Sequence, residues 1–91
     1  MQVFLRKNKM KIIFFAKIRE LMGKEEENIT FPEDVRTVND MVLFLKEYNK
    51  IYYNVFENYD FLIACDEELA DMDYKISKTT EIAIFPPVTG G

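Results

Sequence analysis

Few groups in this 91-residue chain have chemical reach: one thiol at Cys65, an acidic run of Asp66, Glu67, Glu68, Asp71 and Asp73, and the terminal carboxylate of Gly91. Histidine is absent, which removes the commonest general base and the commonest metal ligand. Neither a Ser-His-Asp nor a Cys-His arrangement can be assembled. The glycines are Gly23, Gly90 and Gly91 alone, so the chain has no phosphate-cradling loop and no dinucleotide fingerprint. Cys65 ends the apolar run from Phe61, the setting of a small core residue rather than a nucleophile. The acidic run lacks the glycine turn and ligand spacing of a calcium loop and reads as a solvated turn, as do Glu25 to Glu27, so no metal site is expected. The aromatics from Tyr52 to Tyr59 read as packing, because no basic residues interleave them.

What remains is the tail, Phe85-Pro86-Pro87-Val88-Thr89-Gly90-Gly91. Two glycines at the very end arise by chance in about 0.5% of chains of average composition. Pro86 and Pro87 end the preceding strand and stiffen its exit, since each fixes φ and favours an extended conformation. From Pro86 to Gly91 the tail reaches about 20 Å when extended. Gly90 and Gly91 carry no Cβ, so the walls of a partner's channel can close on the backbone. Stiffening before docking also lowers the entropy lost on binding. The pattern describes a probe with the Gly91 carboxylate at its tip.

The elements that must hold this probe are legible from periodicity. Met10 to Lys17 reads as a strand, with Met10, Ile12, Phe14 and Ala16 on one face and Lys11, Ile13, Phe15 and Lys17 on the other. Ile18 to Met22 makes one helical turn that Gly23 stops. Glu27, Ile29 and Phe31 alternate with polar residues as a second strand ending at Pro32. Thr37 and Asp40 form a capping-box pattern, and Val38, Met41, Val42, Leu45 and Tyr48 fall on one helical face. Ile51 to Tyr59 fits either a helix continuation or a packed loop. Phe61 to Cys65 reads as a buried strand, Asp66 to Glu68 as a turn, Tyr74 to Ile76 as a short strand and Ser77 to Thr80 as a turn. Glu81 to Phe85 is the last strand, with Ile82 and Ile84 opposite Ala83 and Phe85. This order predicts an α+β fold, a mixed sheet wrapped on one main helix.

Length allows one domain with a modest core and no deep substrate pocket. A hydrophobic fraction of 48%, with eight Phe and five Tyr, supports that core and argues against disorder. The net charge of −4 argues against nucleic acid as the main ligand and suits a partner with a basic docking site. A single cysteine allows no intrachain disulfide and fits a reducing compartment, so a cytoplasmic location is expected. The longest apolar run, Ile12 to Ala16, is too short to span a bilayer, and no membrane association is expected. Residues 1–9 lack the apolar length and cleavage site of a signal peptide. They read as an extension, a cloning remnant or the product of an upstream start.

Phe14-Phe15-Ala16-Lys17-Ile18-Arg19-Glu20-Leu21 and Ile84-Phe85-Pro86-Pro87-Val88-Thr89-Gly90-Gly91 resemble the small, sulfur-carrying subunit of molybdopterin synthase, within the ubiquitin-like sulfur carriers. The resemblance runs from Met10 to Gly91 and departs at Lys78, Thr79 and Thr80, where many members carry an acidic-glycine pair. It implies residues 1–9 as an extension outside the pattern, 10–85 as a ubiquitin-like β-grasp domain and 86–91 as an extended functional tail. It also implies that an E1-like enzyme adenylates Gly91 with ATP and that a persulfide donor then converts it to a thiocarboxylate. The charged tail, Pro86, Pro87, Val88, Thr89 and Gly90, would enter the large catalytic subunit of molybdopterin synthase. There sulfur passes to cyclic pyranopterin monophosphate, two carriers serving each dithiolene, in a complex of two small and two large subunits. The carrier itself would hold no cofactor and is not an enzyme alone. Partner contacts carried over from the resemblance are Phe15, Arg19, Leu69 and Phe85. Strand alternation turns Phe15 and Phe85 outward, where they should form one patch. The rivals are a sulfur carrier for thiamin thiazole, a ubiquitin-like modifier joined to lysines through Gly91, and a plain interaction module.

Overall fold

In the computed structural model, which describes residues 8–87, the period-2 pattern expected from Met10 lies in strand β1 (Asn8–Phe14), which begins two residues earlier, within the segment expected as an extension. Met10, Ile12 and Phe14 are buried on its inner side. The strand stops three residues short of the expected Lys17. Phe15 stays extended, and Ala16 takes φ 51° and opens α1 (Ala16–Met22), so Ala16 and Lys17 leave the sheet and are exposed. The turn buries Ile18 and Met22. It ends at Gly23, which adopts φ 73° and donates its N–H to Arg19 O at 3.0 Å. An L side chain there would be strained by the left-handed backbone.

The second strand, β2 (Glu26–Phe31), pairs antiparallel with β1, Met10 opposite Ile29 and Ile12 opposite Glu27. The capping box is present: Asp40 N–H donates to Thr37 Oγ1 at 3.1 Å and Thr37 N–H to Asp40 Oδ2 at 3.2 Å. It opens α2 (Val38–Tyr48), which buries Val38, Met41, Val42 and Leu45. Tyr48, expected on the same face, is half exposed, because the helix breaks after it at Asn49 (φ −160°). The Asn49 side chain accepts from Tyr52 N–H and starts α3 (Lys50–Asn58). The ambiguous aromatic stretch is therefore a separate helix, and the single main helix expected from the sequence is two in succession. Tyr52 is fully buried and donates its hydroxyl to Glu27 Oε1 at 2.7 Å, tying α3 to β2. Burial, then this bond, push its phenol well above the ordinary value.

After α3 come β3 (Leu62–Cys65), β4 (Glu68–Ala70) and β5 (Glu81–Phe85). Glu68, expected in a turn, begins β4. The short strand expected at Tyr74 to Ile76 is only an isolated bridge between Thr37 and Lys75. The backbone there serves α2 instead, with Val38 N–H donating to Tyr74 O and Asn39 N–H to Met72 O. These bonds satisfy donors that a helix start leaves free. The sheet order is β2-β1-β5-β3-β4, with β5 parallel to β1 and antiparallel to β3. The helices share one core cluster with the inward residues of the strands, so they cover one face of the sheet and leave the other open.

Candidate functional site

β5 lies at the centre of the sheet, which holds its C-terminal end by two neighbours. Phe14 is opposite Ile84 on β1, and Leu62 is opposite Phe85 on β3. Phe15 N–H donates to Ile84 O at 3.1 Å, which extends the parallel register by one residue. The strand therefore delivers Pro86 and Pro87 from a rigid base. Both prolines are half-buried. Pro87 lies against the end of α3, where it shares an open pocket of about 470 Å³ with Phe56, Tyr59, Asp60 and Phe61. Of the expected tail, Val88, Thr89, Gly90 and Gly91 lie outside the described residues.

The open face is apolar across four strands. Register sets Ile13 opposite Ala83, Ala83 opposite Ala64, and Ala64 opposite Leu69. Opposed residues share a face and inner and outer residues alternate, so these four side chains form a row on the side away from the helices. Phe85 and Leu62 form the next pair on that side. Phe15 continues the outward alternation of β1 in extended backbone (φ −123°, ψ 149°) and is 46% exposed. Leu69, at 68%, is the most exposed large hydrophobic among the described residues. Three of the expected contacts, Phe15, Leu69 and Phe85, thus share the open face beside the tail's exit. Arg19 lies apart from the row, one helical turn from Phe15, and its guanidinium reaches Glu25 Oε1 at 3.3 Å across the surface.

Ile13, Leu62, Ala64 and Ala83 belong to the same face and were not singled out in advance. Ile13 broke the clean alternation of β1, and the alanines are small residues in otherwise bulky strands; those were the available signals.

The acidic residues near Leu69 are a rim rather than a ligand set. Asp66 and Glu67 turn between β3 and β4 with φ 47° and 72°, a left-handed pair of the kind that closes two-residue hairpins. The Asp66 carboxylate accepts from Thr80 N–H, the Thr80 hydroxyl at 3.0 Å and Glu81 N–H at 3.0 Å. It thereby pins the hairpin to the start of β5. Thr79 N–H closes the preceding turn onto Ile76 O at 3.0 Å, so Lys78, Thr79 and Thr80 form a turn without a glycine. Cys65 is buried, and desolvation pushes its thiol up, which leaves it protonated and unreactive. Among the described residues no group of three or more metal-ligating side chains converges. No helix among them is long and apolar enough to cross a membrane. Among the described residues this geometry offers an apolar recognition surface beside the end of β5.

The model of the ThiS family matches residues 12–91, from β1 to the last glycine. The chain is 38% identical over 87 residues to the molybdopterin synthase sulfur carrier subunit of Dictyostelium discoideum, covering 92% of this chain and 98% of that protein. It is 30% identical over 82 residues to the subunit of the same name from Escherichia coli (strain K12), covering 90% and 99%. In structure it is similar to SAMP1, small archaeal modifier protein 1, of Haloferax volcanii, with a TM-score of 0.68 at 27% identity over 91% of this chain and 99% of that one. The architecture is α+β, as the element order predicted, and is the ubiquitin-like β-grasp that the resemblance implied. With a family match that takes in nearly every element and the Gly-Gly end, the chain belongs to the ThiS family of sulfur-carrier proteins.

Proposed function

We propose that this chain is the sulfur-carrier subunit of a molybdopterin synthase and that its reactive group is the Gly91 carboxylate. In this reading an E1-like partner binds ATP, and the carboxylate attacks the α-phosphorus, releasing pyrophosphate and leaving an acyl adenylate. A persulfide sulfur displaces AMP, and a thiol then cleaves the resulting S–S bond, forming a disulfide with the donor and freeing the thiocarboxylate. That sulfur is the nucleophile toward cyclic pyranopterin monophosphate, and water returns Gly91 to its carboxylate. The large catalytic subunit supplies every acid, base and phosphate-binding group, since this chain has no histidine and only a buried thiol.

The open sheet face carries this reading. The row Ile13, Ala83, Ala64 and Leu69, flanked by Phe15 and Phe85, is an apolar patch beside the tail's exit, and such patches mark protein interfaces. Docking there would leave Pro86 to Gly91 free to enter the partner, with Arg19 at the margin. The protein works in the cytoplasm and holds no cofactor of its own in this reading.

The test is the intact mass after incubation with activating enzyme, ATP and a sulfur donor. A gain equal to exchanging one oxygen for one sulfur is expected, absent after deletion of Gly91. Transfer onward to the pterin precursor, and not to a thiazole precursor, completes the assignment. No mass gain, with a known carrier converted alongside, sinks it. The similarity to a small archaeal modifier protein supports a second reading, in which Gly91 joins lysines of other proteins; isopeptide-linked adducts in cells would favour that one.

A further inference from the structure

The open face is not the only surface left unpaired. β2 is the free edge of the sheet opposite β4. Phe14 N–H donates to Glu25 O at 2.9 Å, which continues by one residue the β1–β2 register that sets Ile13 opposite Glu26. In an antiparallel ladder the bonded pairs alternate with unbonded ones. Glu27, Ile29 and Phe31 therefore bond to β1, while Glu26, Asn28 and Thr30 direct their N–H and C=O groups away from it. Among the described residues these outward groups have no backbone partner. An open row of this kind is a template for another strand.

A row of aromatic side chains runs beside the edge. Phe44 packs edge-on against Phe31 at 5.3 Å, Tyr52 bonds Glu27, and Tyr48 sits between them, 6.0 Å from Phe44 and 6.1 Å from Tyr52. The aromatic row thus tracks the length of β2. Past Phe31 the row meets an open pocket of about 260 Å³ walled by Pro32, Val35, Leu43 and Phe44. Leu43 is half exposed there. Asp34 and Glu47 also line it, and so does Asp40, whose carboxylate is engaged by Arg36 and Thr37 N–H. With Glu26 along the strand, carboxylates outnumber cations here among the described residues: Lys24 pairs with Glu27, Arg36 lies beside Asp40, and two exposed lysines on β1, Lys9 and Lys11 opposite Thr30 and Asn28, stand against Glu26, Asp34 and Glu47.

We propose that the β2 edge and this pocket take up an extended segment of a partner protein as an added strand. One branched or aromatic side chain fills the pocket, and flanking lysines or arginines face Glu26, Asp34 and Glu47. Main-chain bonds supply affinity in this mode and the pocket supplies specificity. A second copy of this chain is the poorer occupant, because it brings the same carboxylates and a net charge of −4. The edge lies across the sheet from Leu69, so occupancy here is compatible with a partner on the open face.

The test is a titration of the ¹⁵N-labelled full chain with a short synthetic peptide that alternates threonine with valine and phenylalanine between terminal lysines. Amide shifts are expected at Glu26, Asn28 and Thr30, and on α2 at Leu43 and Phe44. Replacing the lysines by glutamates should weaken binding at least about tenfold. Asn28→Pro removes an outward N–H and no β1 bond, so it should abolish binding while the spectrum stays that of a folded chain. Leu43→Glu, on the helix, should also cost about tenfold or more. Shifts centred on Ile13, Ala83 and Phe85, equal binding by Asn28→Pro, or no shifts would overturn the proposal. It is also overturned if the same amides move without peptide, on dilution or on deletion of residues 1–7, because the edge is then filled by a second copy or the chain's own amino terminus.

Discussion

Under the helices, the sheet buries Met10, Ile12, Phe14, Ile63, Cys65, Ile82 and Ile84 to 3% exposure or less, whereas its other face leaves Ile13, Ala64, Ala83 and Phe85 half-buried and Leu69 at 68%. Both faces come from the same alternation along the same strands. The first is completed by α1, α2 and α3 of the same chain, the second by no other element among the described residues. Removing atoms from the first should cost folding, and altering the second should cost association. The tail belongs with the second, since it leaves from β5 with Phe85 on that side.

The largest effect should come from the end of the tail. Deletion of Gly91 is expected to abolish sulfur acquisition while leaving the urea midpoint unchanged; retained acquisition would detach the chemistry from the open face altogether. Next is the helix-covered face. Phe14→Ala should destabilise by ~3–5 kcal/mol, through lost burial and a residual cavity, read as a lower urea midpoint at unchanged slope. On the open face, Ala83→Asp should weaken binding to the large subunit by about 100-fold and cost stability by only ~1 kcal/mol. Comparable unfolding by the two substitutions would erase the distinction between the faces.

A smaller effect is expected at the hairpin that bounds the open face. Asp66→Ala removes three accepted hydrogen bonds and should cost ~1–2 kcal/mol, whereas Asp66→Asn, which tolerates the left-handed backbone, should cost less. Thermal melts of the two variants give the order. The smallest effect is pH-dependent and lies on the helix side. The backbone N–H of Arg36, chiefly, holds the Asp40 carboxyl below its ordinary value. A lowered carboxylate stabilises the fold fully above its unfolded pKa of about 3.9, and the gain is lost as pH falls through the lower folded value. The stability gap between wild type and Asp40→Asn should therefore be flat near neutrality and close below about pH 4. A gap that widens in acid would reverse the assignment.

Much of this was legible beforehand where a local rule acts alone. The capping box at Thr37 and Asp40, the stop at Gly23, and the burial of Ile82 and Ile84 each follow from residues within one turn or one strand. The misreadings fall where distant segments compete. Ala16 continued the β1 alternation but left the sheet, because the chain must turn into α1 and Phe15 N–H is taken by Ile84 O. Glu68 to Ala70 are too polar and short to announce a strand, and they pair only because Asp66 and Glu67 fold them back on β3. Tyr74 to Ile76 looked like a strand, yet its neighbourhood supplies carbonyls to the start of α2.

The order of residues alone determined that the chain has no histidine, a single cysteine, and two prolines directly before Val88-Thr89-Gly90-Gly91. Those conclusions need no geometry, because an absent histidine is absent in every fold and a proline restricts φ wherever it stands. Only the tertiary structure decided that Ile13, Ala83, Ala64 and Leu69 lie in one row, and that β2 presents Glu26, Asn28 and Thr30 along a free edge. Pairing register and phase are set by contacts between residues far apart in the chain, and a shift of one position would turn every such side chain to the other face.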